Sequence, residues 1–263
     1  MAWHRVEGGD SLFITFRKWT VYYVLCLVAL LVTFALITRQ GESVQTAADA
    51  FVGENVPILI IDPGHGGEDG GAVATDGTIE SHINLAVSST VAEIARLLGW
   101  EVVMTRQEDI SIHDDTAQTI REKKVSDLKN RVQLCNAVEH GVLISIHQNS
   151  MPAAKSVRGA QVFYNENSGS PALAQAIQVV LNQTVNVGRP KESKPIGGSS
   201  YLMKSVTIPA VLIECGFLSN ETDTQLLKTA EYQRKLSVCI VSAITDYLRV
   251  GENTAVQQTT NVL

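Results

Sequence analysis

An uncharged apolar run near the amino terminus restricts the fold more than any other part of the sequence. Residues Thr20–Thr38 form nineteen consecutive positions without a charged residue, a proline or a glycine. A helix that rises ~1.5 Å per residue would extend roughly 28 Å over this run, close to the hydrocarbon thickness of a bilayer. A buried core helix keeps a polar stripe, and this run has none. The sequence therefore predicts one transmembrane helix at residues 20–38.

The basic residues around this run predict its orientation. Arg17 and Lys18 precede the run, whereas only Arg39 follows it closely. This bias places residues 1–19 in the cytoplasm and the chain after residue 40 on the far side of the membrane. The run is longer than the apolar region of a cleaved signal peptide, and the candidate cleavage site at Ala48–Ala50 lies well past it. We therefore expect a retained signal-anchor, followed by a polar linker at residues 39–55.

Charge and cysteine content exclude several classes of function. The formal net charge is −6, and no basic cluster follows the apolar run. Because affinity for nucleic acid depends on lysine and arginine side chains that neutralise phosphates, no nucleic-acid partner is expected. The four cysteines include no C-x-x-C pair, so neither a disulfide framework nor a thiolate zinc site is predicted.

Residues 56–250 alternate short β-branched runs with longer amphipathic segments, which is typical of an α/β domain. We expect a single domain with one central, mostly parallel or mixed sheet of about six strands, flanked by helices, and a polar tail at residues 251–263. The predicted strands are Val56–Ile61, Glu101–Met104, Val142–Ile146, Ala160–Tyr164, Tyr201–Met203 and Ala210–Ile213. The predicted helices are Ser81–Leu98, Thr119–Glu139, Pro171–Val187 and Tyr232–Val250.

Three of the predicted strands end in polar residues that differ from their apolar interiors. The segments that follow the strands are Asp62–Gly67 (DPGHGG), His147–Asn149 (HQN) and Glu214–Gly216 (ECG). In open α/β sheets, ligands bind outside the carboxyl ends of the strands. Parallel neighbouring strands would therefore bring these three segments together in one cleft.

The residue types in that cleft suggest a metal. Two histidines and a carboxylate form a common catalytic zinc set, which leaves a fourth position for water. His65 and His147 are the candidate imidazole ligands, and either Glu80 or Glu214 could supply the carboxylate. The spacing of the residues does not distinguish between these two glutamates. Asp62 is expected to form the turn or to support a ligand from behind.

The glycine-rich segment after the first strand does not fit a phosphate-binding loop. Counting from Gly64, the third glycine of a G-x-G-x-x-G fingerprint is replaced by Asp69. No G-x-x-x-x-G-K-[ST] segment is present in the sequence either. A tight bend around a metal ligand explains these glycines better than a phosphate cradle does.

Taken in order, the polar segments resemble the motifs of the zinc-dependent N-acetylmuramoyl-L-alanine amidases. The resemblance extends over roughly residues 56–249, which is almost the whole predicted domain. The matching segments are Asp62–Ala72 (DPGHGGEDGGA), Glu80 with Asn84 and Leu85, Met104–Asp109 (MTRQED), Arg131 with Asn136, Ser145–Asn149 (SIHQN) and Pro209–Asn220 (PAVLIECGFLSN).

The resemblance implies a function and roles for individual residues. His65, Glu80 and His147 would hold Zn²⁺, and Glu214 would be the catalytic carboxylate. The substrate would be peptidoglycan, cut at the amide that joins N-acetylmuramic acid to L-alanine. The predicted anchor, the lack of wall-binding repeats and the segment from Lys123 to Arg131 are most similar to the spore-cortex, germination-specific type, which initiates muramic-δ-lactam formation. Such an enzyme would act outside the cytoplasm, for example in the forespore intermembrane space.

Three alternatives remain beside this interpretation. A thiol hydrolase could use Cys215 as the nucleophile, although strand alternation would point Cys215 and Glu214 to opposite faces. A membrane-tethered peptidoglycan-binding scaffold could keep the fold without activity, although the implied residue is present at all four site positions. An amidase could also require an activating protein partner, about which the sequence is silent.

Overall fold

The computed structural model describes residues 20–33, 56–198 and 200–260. The chain divides into two units, Met1–Gly53 and Glu54–Leu263. In the first unit, residues 20–33 form helix α1, whose side chains are exposed. Among the described residues, we find no helix with the length and apolar character that a membrane crossing requires. Residues 34–38 of the predicted anchor, the predicted cytoplasmic segment 1–19 and the linker 39–55 lie outside the described residues.

The second unit is built on a mixed six-stranded sheet, as the sequence predicts. The strand order is β2-β1-β3-β6-β4-β5. Strands β1, β2, β3 and β6 run parallel to one another, β4 pairs antiparallel with β6, and β5 pairs parallel with β4. The strands are β1 (Ile58–Pro63), β2 (Val102–Met104), β3 (Gly141–Asn149), β4 (Gln161–Tyr164), β5 (Lys194–Pro195) and β6 (Ala210–Phe217).

Helices cover both faces of this sheet. The helices of the second unit are α2 (Glu80–Leu97), α3 (Ile120–Asn136), α4 (Ser170–Thr184), α5 (Tyr201–Ser205), α6 (Glu221–Leu227) and α7 (Ala230–Thr260), with a short 3-10 turn at Pro152–Ala154. Side chains of α2, α4 and α7 share the larger core with Leu59, Ile61 and Ile213. Side chains of α3 and α5 share the smaller core with Ile60 and Leu143. Because successive strand side chains point to opposite faces, β1 contributes Ile60 to one core and its two neighbours to the other.

Local chemistry sets the boundaries of the helices that frame the cleft. The Thr119 hydroxyl accepts from the Glu122 amide while the Glu122 carboxylate accepts from the Thr119 amide, which is the capping box that begins α3. Gly99 has a φ of +83° and follows α2 directly, as is common where a helix ends. The predicted helices Ser81–Leu98 and Thr119–Glu139 are thus confirmed to within a few residues.

The predicted strand Tyr201–Met203 is wrong, since these residues begin the helix α5. The Ser200 hydroxyl accepts from the Met203 amide and caps the first turn. A three-residue apolar run is too short for its periodicity to distinguish a strand from a helix. The sixth strand of the sheet is instead the two-residue β5, which the sequence pattern did not indicate.

Two other helices differ from the prediction. Helix α6 begins shortly after β6 and is capped by Asn220, whose side chain accepts from the Asp223 amide. Helix α7 continues to Thr260, beyond the predicted end at Val250 and into the segment expected to be a polar tail. The residues after Gly251 include Glu, Ala and Gln, which favour a helix without contributing to an apolar periodicity.

Candidate functional site

The sheet topology brings the three polar strand ends to one edge. Strand β3 lies between β1 and β6 and runs parallel to both. His65 follows β1 by two residues, and His147 lies near the end of β3 directly opposite Glu214 of β6. Glu80 reaches the same edge from the first residue of α2. The convergence that the sequence analysis inferred from strand ends is therefore present in the fold.

His65, Glu80 and His147 form a compact group. Each offers one nitrogen or oxygen atom, and these atoms lie within 4.8 Å of one another. Glu80 Oε1 is 3.0 Å from His147 Nδ1 and 3.4 Å from His65 Nε2. Among the described residues, this is the one group of three or more His, Cys, Asp or Glu side chains with a spacing suited to a metal ion. Of the two glutamates left open by spacing, the structure brings Glu80 into the group and leaves Glu214 outside it.

Backbone and side-chain donors hold the Glu80 carboxylate in place. Its Oε2 accepts from the Ala72 amide at 2.8 Å, and its Oε1 accepts from the Gln148 amide at 3.1 Å and from Asn84 Nδ2 at 3.2 Å. Burial alone would raise the pKa of Glu80, but hydrogen bonds and charges from His147 and His65 hold that pKa well below its usual range. The carboxylate is therefore ionised and fixed, as a metal ligand needs to be.

His65 lies in a loop whose backbone is unusual for a residue with a side chain. Its φ of 61° lies in the left-handed region, which costs free energy for any residue except glycine. Its Nδ1 lies 3.0 Å from Asp69 Oδ2. Burial alone would lower the pKa of His65, but the hydrogen bonds to Asp69 and Glu80 outweigh burial and raise it to about 9.

Two glycines leave room for this group. A Cβ atom at Gly64 would lie 2.2 Å from the His147 ring. A Cβ atom at Gly71 would lie 2.6 Å from Glu80 Oε2 and 2.7 Å from His65 Cδ2. The glycine-rich segment is thus required because the backbone runs directly against the three candidate ligands, in agreement with the prediction of a tight bend.

Glu214 lines the same cleft but has a different environment. Its Oε2 is buried and has no hydrogen-bond partner among the described residues. Burial is the main cause that raises the pKa of Glu214, to about 7. A carboxyl group that exchanges a proton near neutral pH, beside a candidate metal site, has the properties of a general base.

Asp62 supports the site from behind, as the sequence analysis expected. Its two carboxylate oxygens accept from Arg131 Nη1 at 2.6 Å, Thr105 Oγ1 at 2.7 Å and Ser145 Oγ at 2.7 Å. Arg131 Nη1 also donates to the Pro63 carbonyl at 2.8 Å, and Arg131 Nη2 donates to the His65 carbonyl at 2.8 Å. Asp62 is thus engaged in a buried ion pair and is not a member of the ligand group.

A second buried arginine holds the same loop from another direction. Arg106 donates to the carbonyls of Pro63 at 2.9 Å, Gly64 at 3.0 Å and Ser81 at 3.0 Å. Arg106 belongs to the matching segment Met104–Asp109, but its role in holding the loop was not predicted from the sequence. The sequence did contain a signal for this role. Arg106 follows a strand, lies beside Thr105 and precedes Asp109 by three residues.

The cleft around these residues has a volume of about 460 Å³. His65, His147 and Glu214 lie along it, and Phe163, Ile196, Tyr201 and Leu212 supply its apolar wall. Cys215 is fully buried in the larger core, on the other side of the strand from this cleft. The alternation of side chains along β6 therefore separates Cys215 from the candidate ligands.

Comparison with known proteins identifies the family of this domain. A family model described as N-acetylmuramoyl-L-alanine amidase matches residues 59–246. The chain is 35% identical, over 190 residues, to the germination-specific N-acetylmuramoyl-L-alanine amidase of Bacillus subtilis, and the match covers 72% of this chain and 79% of the relative. It is 26% identical to the N-acetylmuramoyl-L-alanine amidase AmiA of Escherichia coli, over 74% of this chain and 78% of the relative.

Solved structures give the same result. The CwlD amidase of Clostridioides difficile, solved in complex with the GerS lipoprotein, superposes with a TM-score of 0.71 at 37% identity. That match covers 74% of this chain and 100% of the solved chain. An N-acetylmuramoyl-L-alanine amidase from Clostridium difficile 630 superposes with a TM-score of 0.63 at 28% identity, over 74% of this chain and 98% of the solved chain.

The substitution Asp62→Asn should destabilise the fold, because it leaves Arg131 buried without its closest counter-charge. Removing one partner of a buried ion pair costs about 3–5 kcal/mol, and we expect about 3 kcal/mol because Asp127 still pairs with Arg131. Urea unfolding of the wild type and the variant at pH 7 measures this difference. Asp246→Asn, at an exposed carboxylate on α7, is the control and should change the free energy of unfolding by less than about 0.5 kcal/mol.

The same pair predicts a pH dependence. Burial alone would raise the pKa of Asp62, but Arg131 and two hydroxyl donors lower it from 3.8 to about 2. A lowered folded-state pKa stabilises the fold above pH 3.8, and this contribution is lost as the pH falls towards 2. Between pH 4.5 and 2, the wild type should therefore lose about 2 kcal/mol more than Asp62→Asn. Parallel losses in the two proteins would contradict the assigned ion pair.

Proposed function

The chain belongs to the N-acetylmuramoyl-L-alanine amidase family, and we propose that it cuts peptidoglycan with a zinc ion held by His65, Glu80 and His147. The bond cleaved is the amide between the lactyl group of N-acetylmuramic acid and L-alanine. In this proposal Glu214 is the catalytic carboxylate. The observation that carries it is the convergence of two imidazoles and an ionised carboxylate beside a buried carboxyl group that has no hydrogen-bond partner among the described residues.

The donor set supports zinc as the metal. Zinc takes nitrogen and oxygen ligands in a tetrahedral arrangement, and its catalytic sites combine three protein ligands with one open position. Two histidines and one glutamate match that pattern, and their ligand atoms already lie within 4.8 Å of one another. Gly64 and Gly71 keep the surrounding space free of side chains. The hydrogen bonds to Glu80 orient the carboxylate before any metal binds.

A zinc ion held by His65, Glu80 and His147 would supply Lewis-acid chemistry, lowering the pKa of water and polarising a carbonyl oxygen. Glu214 then takes a proton from the attacking water and delivers it to the nitrogen of the departing L-alanine. Its pKa near 7 permits both steps at neutral pH. The arginines behind the loop keep His65 in position, and the apolar wall of the cleft reduces the access of bulk water to the reacting groups.

The alternatives from the sequence have less support. Cys215 is fully buried, and burial raises the pKa of its thiol to about 12, so the thiolate that a nucleophile requires is disfavoured. A scaffold without activity would have no need for the Glu80 hydrogen bonds or for an unpartnered Glu214 oxygen. The similar CwlD amidase was solved in complex with a lipoprotein. This similarity supports a protein partner for this chain, in addition to the proposed amidase activity.

We also propose a setting for the reaction. Peptidoglycan lies outside the cytoplasm, so the domain acts there, and the apolar run at residues 20–38 anchors it to the membrane. Similarity to a germination-specific relative supports a role in the spore cortex, where removal of the stem peptide precedes muramic-δ-lactam formation.

A fractionation experiment tests the anchor. The full chain should stay with the membrane pellet after an alkaline carbonate wash and be released by detergent, because an apolar helix of this length partitions into the bilayer. A variant that lacks residues 1–38 should remain in the supernatant. Release of the full chain by carbonate alone would contradict the proposed anchor.

Variants at three of the four site residues test the mechanism. Glu214→Gln should keep its zinc content and lose turnover by roughly 10²–10⁴-fold, the contribution typical of a general acid–base residue. His65→Ala and His147→Ala should lose both zinc and turnover. The measurements are zinc content by mass spectrometry and chromatographic detection of peptides with a new amino-terminal L-alanine. Unreduced turnover in Glu214→Gln would refute its catalytic role.

A further inference from the structure

Asp69 links a candidate zinc ligand to a helix on the surface. Its Oδ2 lies 3.0 Å from His65 Nδ1 and 3.0 Å from Lys124 Nζ of α3. Its Oδ1 accepts weakly from the Gly71 amide at 3.4 Å. The Asp69 carboxylate therefore connects the His65 ring to α3 through Lys124.

This contact determines which nitrogen of His65 is free. A carboxylate beside Nδ1 favours the tautomer that carries its proton there, which leaves the lone pair on Nε2. Nε2 is the atom that faces Glu80 Oε1. The carboxylate thus presents the correct nitrogen of His65 to the proposed metal and makes that nitrogen more basic.

Helix α3 holds His65 at two points. Arg131, in the last turns of α3, binds the His65 carbonyl at 2.8 Å. Lys124, in the first turns, binds Asp69 and through it the ring. Since the φ of His65 is 61°, contacts from the surrounding structure are needed to keep the residue in this conformation.

We propose that Asp69, itself held by Lys124, is a positioning residue that sets the zinc affinity of the site. This inference rests on the zinc site proposed above. It makes α3 part of the metal site although the helix contributes no ligand.

The neighbouring ion pair provides a matched control. Lys123 Nζ lies 2.6 Å from Glu68 Oε1, so consecutive lysines of α3 contact consecutive carboxylates of the loop. Within the described part of the chain, no hydrogen bond or ion pair joins Glu68 to His65, Glu80 or His147. Lys123→Met therefore removes a comparable charge and ion pair without breaking the Asp69–His65 contact.

The test is the zinc dissociation constant of the full chain, measured by competition with a chromogenic chelator. Asp69→Asn should weaken zinc binding by roughly 10–100-fold, as the loss of such an outer partner does in other metal sites. Lys124→Met should weaken it by roughly two- to fivefold, the range expected for a solvent-exposed ion pair. Lys123→Met should remain at the wild-type value.

The loss of the Lys124 charge distinguishes an electrostatic effect on zinc binding from an effect of positioning. Removal of a nearby cation would by itself tighten the binding of Zn²⁺, so weaker binding in Lys124→Met can only come from lost positioning. Tighter binding in that variant, or wild-type binding in Asp69→Asn, would overturn the inference while leaving the zinc amidase intact. A wild-type chain that binds no zinc would refute the proposed function and this inference together.

A second observation concerns a separate groove of about 550 Å³. It lies between the segment after Ala72 and the junction of β6 with α6. Its lining is rich in hydroxyl and amide side chains and includes two acidic residues, Asp76, which pairs with Lys228 at 2.8 Å, and Glu221. Representative lining residues are Thr75, Asp76, Lys155, Ser219, Thr222 and Gln225.

Two chain segments connect this groove to the catalytic cleft. Ala74 lines the groove, and the amide of Ala72, two residues earlier, binds the Glu80 carboxylate. Leu218 also lines the groove, and its amide donates at 2.8 Å to the carbonyl of Asn149, a residue of the catalytic cleft. The groove and the catalytic cleft therefore border one another across these two segments.

We infer that this groove is a subsite for the glycan strand of peptidoglycan, which rests on the amidase function proposed above. Sugar hydroxyl and N-acetyl groups are neutral hydrogen-bonding groups, and the hydroxyl and amide side chains of the lining are suited to them. Among the described residues, the side chains of Thr75 and Thr222 and the Lys155 ammonium make no hydrogen bond or ion pair within the protein, so these groups are available to a ligand.

Thr222→Trp in the full chain tests the subsite, because the indole fills the groove from an exposed position. The substrates are long-chain peptidoglycan and a soluble disaccharide–tetrapeptide, which offers no extended glycan. The ratio of kcat/KM for the polymer to that for the disaccharide substrate should fall at least roughly fivefold, the loss of about 1 kcal/mol of binding. Val238→Trp, at an exposed position of α7, should keep the wild-type ratio.

An unchanged ratio in Thr222→Trp would overturn the subsite while the amidase function stands. A wild-type chain that cleaves neither substrate would refute the function and the subsite with it. Thermal unfolding of each variant shows whether the fold is intact, and the ratio is independent of the fraction of active protein.

Discussion

The ion pair between Asp62 and Arg131 is the interaction on which the arrangement of the cleft depends. Both side chains are almost fully buried, and an unpaired charge in that environment would be very costly. Asp62 lies near the end of β1, whereas Arg131 comes from α3, so neutralising the charge requires α3 to pack at that edge of the sheet. The remaining donors of Arg131 then bind the carbonyls of Pro63 and His65. The buried charge of Arg131 thus fixes α3 and the loop that carries His65 together.

Glu80 depends on a different part of the fold, because it is the one candidate ligand not carried by a strand or by the loop after β1. It begins α2, and its carboxylate accepts from the amides of Ala72 and Gln148. These amides belong to the segment before α2 and to strand β3. The carboxylate reaches this position only when β1 pairs correctly with β3 and α2 starts at the correct residue. The site can therefore form only when both are in place.

Much of this arrangement follows from the sequence. The apolar strands with polar ends predicted the parallel edge that holds His65, His147 and Glu214, because strand direction alone determines which ends meet. Spacing could not choose between Glu80 and Glu214, since the choice depends on where α2 starts relative to β3. The family resemblance selected Glu80 as the ligand, and the geometry groups Glu80 with the two histidines. The predicted strand at Tyr201–Met203 failed because a cap at Ser200 decides between helix and strand over so short a run.

The electrostatics of the cleft give its two carboxyl groups opposite properties. Glu80 is held ionised by two imidazoles and three hydrogen-bond donors, whereas burial raises the pKa of Glu214 to about 7. Carboxyl groups whose environments separate their pKa values in this way are suited to different tasks, one to hold a cation and one to exchange a proton. A buried oxygen without a hydrogen-bond partner among the described residues costs free energy, so Glu214 is an unfavourable residue for the stability of β6. The proposed chemistry of the cleft would give Glu214 a role that the stability of the sheet does not.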